Sequence, residues 1–142
     1  MTPSPEFIVR AYYLAWAEQD IERAISYMSD GVQWNMYIDT DVVGFAGQSI
    51  GREAMRQRMN DLMKSFELIA FEILNFKQTG QDSRTLVRCD YRHIASGQLL
   101  DLKIRSVFTV LGEHIVACDE YHDAERIRAF MALVSPPSKT TF

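Results

Sequence analysis

The second half of the chain holds four long segments rich in β-branched and aromatic residues, with short polar turns between them. The segments are 68–79, 84–94, 99–111 and 114–122, and the turns read TGQDS, ASGQ and LGEH. Such residues favour strands, and short turns of this kind join neighbouring antiparallel strands. The pattern therefore predicts a meander of four long antiparallel strands.

The first half of the chain is patterned for helices instead. Apolar residues recur at a spacing of three to four after Pro5, after Asp20 and after Gly51, which predicts three helices. Asp20 is a suitable N-cap for the second helix, which we expect to end at Gly31. The remaining predicted elements are a strand at 32–37, a loop at 38–51 and a last helix at about 123–134.

Helices followed by an antiparallel sheet define an α+β fold, in which the helices pack on one sheet face and can leave a cavity between the two layers. The chain has 142 residues, which fits one domain. Its 47% of hydrophobic and 24% of charged residues exclude the disordered and fibrous classes. We predict a single domain at 1–135 and a flexible tail at 136–142.

Charge and hydropathy limit the partners. The formal net charge is −4 and there is no basic stripe, so the sequence gives no electrostatic reason to expect nucleic acid or an acidic membrane. No apolar run reaches the roughly 18 residues that a membrane span requires, and the N-terminus lacks a signal-type apolar core. We expect a cytoplasmic protein whose partner is a small, partly hydrophobic molecule.

The two cysteines, Cys89 and Cys118, show neither CxxC spacing nor nearby histidine pairs. Two isolated cysteines of this kind indicate neither a disulfide framework nor a zinc site. We expect both to be reduced and partly buried, and we expect no metal and no cofactor.

Ionisable side chains alternate along one predicted strand, TLVRCDYRHI. Arg88, Asp90 and Arg92 share one face of it, because side chains two apart on a strand point the same way. In the run HIVACDEYHD, Glu120 and His122 likewise share a face. An unpaired buried ion costs several kcal/mol. These residues therefore either face water as a ladder of charges or line a functional pocket, and periodicity alone leaves both possibilities open.

The strand between these two has a more apolar face, made of Leu102, Ile104, Ser106 and Phe108. If that face meets the helices, in-register pairing would bring the ionisable faces of both neighbours around one cavity. Two nearby carboxylates do not both ionise easily, so one of Asp90 and Glu120 could act as an acid at neutral pH. Arg88 would hold the pair through forked hydrogen bonds.

The opposite sheet face would then carry an apolar patch among charges, made of Val87, Cys89, Tyr91, Val107 and Tyr121. Patches of this kind often become two-fold interfaces. We therefore predict a homodimer that forms through the outer face of the sheet.

The order of the predicted elements, together with the runs DIERAISYMSDGVQW, GREAMRQRM and DEYHDAERIRAF, resembles the nuclear-transport-factor-two-like superfamily and its SnoaL-like branch. The resemblance covers nearly the whole chain. It implies a cone-shaped α+β domain in which a strongly bent sheet wraps around the N-terminal helices and a deep pocket. Members include ketosteroid isomerases, polyketide cyclases, dehydratases and proteins without catalytic activity.

Within the superfamily, the candidate site is most similar to that of limonene-epoxide-hydrolase-like proteins. Arg88-Cys89-Asp90 matches their Arg-x-Asp, Glu120 falls where their second carboxylate does, and Asn35 matches their asparagine. The position of their tyrosine holds Gln33. The resemblance implies that Asp90 is the acid, Glu120 the base and Arg88 the bridge between them, and that Asn35 orients the attacking water.

The predicted function is water addition to an epoxide or a related activated group. The predicted substrate-binding residues are Gln33, Tyr37, Arg92, Leu102, Ile104, Phe108 and His122. Two alternatives remain open. One is an isomerase or cyclase in which Asp90 or His122 moves a proton next to a carbonyl, and the other is a ligand-binding or dimerisation domain without catalysis.

Overall fold

Four helices and six strands make up residues 2–135, which are the residues that the computed structural model describes. The helices are α1 (Pro5–Ala17), α2 (Ile21–Ser26), α3 (Arg52–Ser65) and α4 (Ala124–Val134). The strands are β1 (Met28–Tyr37), β2 (Gly47–Ile50), β3 (Phe66–Thr79), β4 (Asp82–His93), β5 (Leu99–Leu111) and β6 (His114–Tyr121). The predicted tail at 136–142 lies outside the described residues.

Side-chain caps fix where three of the helices begin. The Ser4 hydroxyl accepts a hydrogen bond from the Phe7 amide at 3.1 Å and starts α1. The Asp20 carboxylate accepts from the Arg23 amide at 3.1 Å, which confirms the predicted N-cap of α2. Asp123 caps α4 in the same way. Each cap satisfies an amide that would otherwise have no partner in the first turn.

The second helix is shorter than predicted. It ends at Ser26, and β1 begins at Met28, where Met28 pairs with Ile115 of β6. The predicted helix end at Gly31 is therefore wrong, because tertiary pairing with β6 overrides the local helical pattern. The register of β1 against β6 shifts between Met28 and Gln33, so Gly31 lies in an irregular stretch of strand.

One six-stranded sheet carries the fold, with the strand order β2-β1-β6-β5-β4-β3. The four strands from β3 to β6 pair antiparallel with their neighbours in sequence, as the meander predicts. β1 joins the other side of β6 in parallel, and β2 adds an antiparallel edge. The sheet curls around the helices and gives the α+β cone.

The register decides which side chains face the helices. Val87 lies opposite Ile104, so odd-numbered residues of β4 share a face with even-numbered residues of β5. Ser106 lies opposite Glu120, so even numbers match even numbers between β5 and β6. The inner face, which meets the helices, therefore receives the odd residues of β4 and the even residues of β6. We call the opposite side the outer face.

An aromatic cluster fills the space between α1 and the inner face. The rings of Tyr12, Tyr13, Trp34 and Phe108 lie with centroid separations between 5.3 and 5.8 Å. The Tyr13 hydroxyl and the Thr85 hydroxyl, both buried, form a hydrogen bond of 2.7 Å. Aromatic contacts of this geometry add stabilisation beyond the area they bury. These four packed rings lie at the base of the cavity and are called the aromatic floor below.

Candidate functional site

A cavity lies between the helices and the inner face of the sheet. Side chains from α1, β1, α3, α4 and the loop before β2 line it together with the inner face of β3 to β6. The walls are mainly aromatic and aliphatic, with Trp16, Met36, Phe45 and Met59 as examples. The cavity offers about 100 Å³ to the centres of water molecules, which is space for several waters or a compact organic molecule.

Three strongly polar side chains reach this apolar space: Arg58 of α3, Glu120 of β6 and His122, which follows β6 directly. Groups of opposite charge in a site that is poor in water interact more strongly than they would at the surface. A polar trio among apolar walls is the arrangement expected where a protein orients or transforms a small molecule.

Glu120 is held by the indole of a tryptophan on the neighbouring strand. Trp34 Nε1 donates a hydrogen bond of 2.8 Å to Glu120 Oε1. Trp34 is itself buried, so its ring position is fixed by packing. The carboxylate therefore has a defined orientation at the cavity wall, opposite Ser106 on β5.

Arg58 is the most deeply buried charged residue of the cavity, with 8% of its surface exposed. Its Nη2 donates to the carbonyl oxygen of Gly47, whereas Nε and Nη1 have no hydrogen-bond partner within residues 2–135. Burial lowers the pKa of the guanidinium, and the nearby Glu120 carboxylate opposes this by raising it. The side chain belongs to the apolar face of α3, between Met55 and Met59.

His122 presents two ring nitrogens that are buried and have no partner in the described part of the chain. Burial lowers the pKa of the imidazole, Glu120 raises it, and Arg58 lowers it again. Because the net shift is downward from an ordinary value near 6.5, the ring is neutral at pH 7. One nitrogen can then donate a hydrogen bond while the other accepts one.

The cavity also contains a thiol. Cys89 is buried on the inner face, and burial raises its pKa to about 12. It is therefore a neutral thiol at physiological pH and not an activated nucleophile. Both cysteines are free.

Arg88, Asp90 and Arg92 lie on the outer face, so the expectation that they line the cavity is wrong. Arg88 Nη2 contacts Asp90 Oδ2 at 3.0 Å, and Arg92 pairs with Glu67 of β3. The physical reason is the register, since Val87 and Cys89 lie opposite the inner-facing Ile104 and Leu102. The charged residues form a solvent-facing ladder, which is one of the two alternatives that periodicity left open.

Gln33, Asn35 and Tyr37 also lie outside the cavity, because Trp34 and Met36 take the inward positions of β1. Asn35 Nδ2 and the Tyr37 hydroxyl both donate to Asp119 Oδ1, at 2.9 and 3.0 Å. They stabilise the pairing of β1 with β6 on the outer face. The expected roles of Asn35 in orienting water and of Gln33 and Tyr37 in substrate binding do not fit these positions.

The other predicted site residues lie on the inner face. Leu102, Ile104, Glu120 and His122 line the cavity. Phe108 belongs to the buried aromatic floor and is not among the residues that line the cavity. The roles of the four lining residues in binding or catalysis remain predictions.

Arg58 was not among the predicted site residues. The sequence nevertheless marks this residue, because Arg58 interrupts the otherwise apolar helical stripe that contains Met55 and Met59. A charged residue on the buried face of a helix needs a partner, and this one lies beside the cavity.

The chain belongs to the family of the SnoaL-like domain, whose model matches residues 9–118. No curated protein matches it. Among solved structures, a candidate isomerase from Rhodopseudomonas palustris superposes with a TM-score of 0.80 at 15% identity, over 95% of this chain and 100% of that one.

Two further structures share the fold. One is a protein with a ketosteroid isomerase-like fold from Catenulispora acidiphila in complex with trimethylamine, with a TM-score of 0.76 at 14% identity over 98% of this chain and 100% of that one. The other is TerC co-crystallised with polyporic acid, with a TM-score of 0.78 at 16% identity over 91% and 99%. At these identities the likeness concerns the fold, which is nuclear-transport-factor-two-like.

No helix between residues 2 and 135 is long and apolar enough to cross a membrane. The same residues contain no group of three His, Cys, Asp or Glu side chains that could hold a metal ion.

Proposed function

We propose that this protein is an isomerase- or cyclase-type enzyme that moves a proton on a small hydrophobic carbonyl compound, without a cofactor. The observation that carries the proposal is that the Glu120 carboxylate and the neutral imidazole of His122 both line one apolar cavity. A base and a proton donor in one such cavity are what a proton transfer between two atoms of one substrate requires.

Glu120 is the proposed base. It removes a proton from the carbon next to the carbonyl, and the electron pair of the broken C–H bond moves onto the carbonyl oxygen. The Trp34 indole keeps Oε1 in place, so the carboxylate meets the substrate in one orientation. Apolar walls exclude water and strengthen each charge interaction in the cavity.

His122 is the proposed proton carrier at a second substrate atom. The neutral ring donates the proton of one nitrogen to that atom while its other nitrogen takes up the proton that Glu120 received, so both groups return to their starting forms. The Arg58 guanidinium lowers the pKa of the ring, which favours this neutral form.

The names of similar folds support this class of reaction. Besides the candidate isomerase, they include a candidate polyketide cyclase from Pseudomonas putida, with a TM-score of 0.73 at 14% identity over 87% of this chain and 95% of that one. An epoxide-hydrolase-type reaction has less support, because it needs Asp90 and Glu120 at the same substrate. These two carboxylates lie on opposite faces of the sheet.

The experiment follows deuterium exchange from D₂O into a panel of hydrophobic ketones by NMR. We expect the wild-type protein to exchange the protons next to the carbonyl, and Glu120→Gln to slow the exchange about 100-fold or more. Asp90→Asn is the matched control, because it removes the other candidate carboxylate from the outer face and should keep the wild-type rate.

Two results would contradict the proposal: no exchange by the wild-type protein, or full exchange by Glu120→Gln. If the wild-type protein exchanges no ketone but a ketone raises its melting temperature, the cavity serves binding without catalysis.

We also propose that the protein forms a homodimer through the outer face of the sheet. The support is a half-exposed aromatic pair, Tyr37 and Tyr121, whose rings stack at 4.9 Å with an interplanar angle of 16°. Val107 lies on the same face, opposite Asp119 of β6. The cytoplasm remains the predicted location, which cell fractionation tests.

A further inference from the structure

Arg58 has hydrogen-bonding capacity that the protein does not use. Two of its nitrogens, Nε and Nη1, are buried and have no partner among residues 2–135, although the residue is only 8% exposed. A guanidinium keeps its charge in a protein, so it cannot escape the cost of burial by losing a proton. Leaving such donors without an acceptor costs free energy comparable to a lost charged hydrogen bond.

The Glu120 carboxylate, which also lines the cavity, does not fill this capacity. Glu120 influences the guanidinium through space, but Arg58 forms no ion pair within 4.0 Å with any described acidic residue. Oε1 of Glu120 is already engaged by Trp34. Among residues 2–135, the single acceptor that reaches Arg58 is the Gly47 carbonyl, which positions the guanidinium at the cavity and leaves its other donors open.

His122 adds another unmatched donor to the same cavity. Both of its nitrogens are buried without a partner in the described chain, and the neutral ring carries one N–H. The ring lies close enough to Arg58 for the guanidinium to lower its pKa. Arg58 Nε, Arg58 Nη1 and His122 therefore offer at least three N–H groups to whatever enters.

The number of N–H donors in the cavity distinguishes a ligand with a carbonyl oxygen from a ligand with a carboxylate. A carbonyl oxygen has two lone pairs, whereas an ionised carboxylate has about four lone-pair sites on two oxygens and also carries the charge that a guanidinium favours. The surrounding walls are aromatic and aliphatic, so the rest of the ligand must be apolar.

We infer that the cavity selects a hydrophobic carboxylic acid, bound as its carboxylate by Arg58 with His122 beside it. The inference rests on the proposed function, since it names the class of substrate on which Glu120 acts: an apolar molecule that carries a carboxylate in addition to the reacting carbonyl. Arg58 is the residue that sets this specificity.

The test compares acids with their neutral amides of nearly equal shape. Isothermal titration calorimetry at pH 7 measures the binding of cinnamate against cinnamamide and of 2-naphthoate against 2-naphthamide. We expect the wild-type protein to bind the acid of at least one pair about ten-fold or more tightly than its amide, as a charge-assisted hydrogen bond implies. Arg58→Met should abolish the preference while leaving the affinity for the amide within about two-fold.

Two further variants complete the design. Arg58→Lys keeps the charge and should retain part of the preference, because a lysine attracts a carboxylate without the forked geometry. Arg88→Met is the matched control, since it removes an arginine from the outer face and should bind as the wild-type protein does. Circular dichroism checks that Arg58→Met is folded, which we expect because an apolar side chain replaces a buried charge.

Equal affinity for acid and amide in the wild-type protein would overturn the inference, as would an undiminished preference in Arg58→Met. Binding of neither member of either pair would overturn it too, because the cavity would then not accept hydrophobic acids. The proposed proton transfer is judged separately, by the loss of deuterium exchange in Glu120→Gln, so either proposal can fail while the other stands.

Discussion

His122 has a titratable ring that forms no hydrogen bond with any of the described residues. Its two nitrogens are buried, and its neighbours in the cavity are the Glu120 carboxylate and the Arg58 guanidinium. Burial contributes most to the lowered pKa. A neutral imidazole in this position suits proton transfer, and the same burial makes the folded protein sensitive to acid.

The sign of this acid sensitivity follows from linkage. The folded pKa of His122 lies below the unfolded value near 6.5, so at lower pH the unfolded chain binds more protons and the free energy of unfolding falls. The loss begins as the pH falls through about 6.5 and ends below the folded pKa. We expect His122→Gln to flatten this part of the curve in urea unfolding at pH 7.5, 6.5 and 5.5. Parallel curves for both proteins would refute the role of His122.

The positions of some cavity-lining residues could be predicted from the sequence. Glu120 and His122 stood out because alternation placed two ionisable groups on one strand face. Arg88 and Asp90 showed the same alternation and nevertheless face outward. In β4 the charged positions alternate with Val87, Cys89 and Tyr91, and this apolar set is the one that meets the core.

At the level of elements, the strands were predicted correctly and the inward face of β4 was not. The four long strands match the predicted segments closely, because their β-branched and aromatic composition is local information. The inward face of β4 depends on its register against β5, where Val87 pairs with Ile104. The apolar residues Val87, Cys89 and Tyr91 of β4 already favoured this face, and the wrong assignment came from giving the charged positions a catalytic role.

α4 closes the cavity from the C-terminal side, and its first turn depends on a single cap. Ile127 and Met131 of this helix line the cavity, while Arg126 pairs with Asp101 of β5. The Asp123 carboxylate accepts the hydrogen bond from the Arg126 amide at 3.1 Å. We expect Asp123→Ala to lower the free energy of unfolding by about 1 kcal/mol in urea titrations.

Asp123→Asn is the matched control for this cap, because asparagine keeps an acceptor oxygen at the same position. It should remain within about 0.5 kcal/mol of the wild-type protein. Equal loss in both variants would show that the charge of Asp123 matters and not its capping hydrogen bond.

Across the whole molecule, the bent sheet separates two kinds of chemistry. Its inner face carries aromatic and aliphatic groups around three polar side chains, and its outer face carries paired charges such as Arg88 with Asp90. The family resemblance correctly predicted the cone-shaped fold and its pocket, since the order of helices and strands is a property of the whole chain. It did not predict Arg58, because this residue reaches the cavity from a helix whose pattern resembles ordinary core.

The outer face leads to a prediction about assembly. The expected interface contained Val87, Cys89 and Tyr91, and these three are buried on the inner face. An interface on the outer face must instead use the half-exposed Tyr37 and Tyr121. Aromatic pairs of this kind are enriched at the centres of protein interfaces. We expect light scattering at micromolar concentration to give the mass of two chains.

A substitution can locate the interface on this face. Tyr121→Glu places a charge where a dimer would bury an aromatic ring, so it should shift the mass toward one chain while circular dichroism stays unchanged. Arg92→Gln is the matched control. Arg92 also lies on the outer face, but near the C-terminal end of β4 and away from Tyr121, where it pairs with Glu67. Its loss should leave the dimer intact. A wild-type monomer would refute the dimer. A dimer that persists in Tyr121→Glu would place the contact elsewhere on the molecule, because burying an unpaired carboxylate at the centre of an interface costs several kcal/mol.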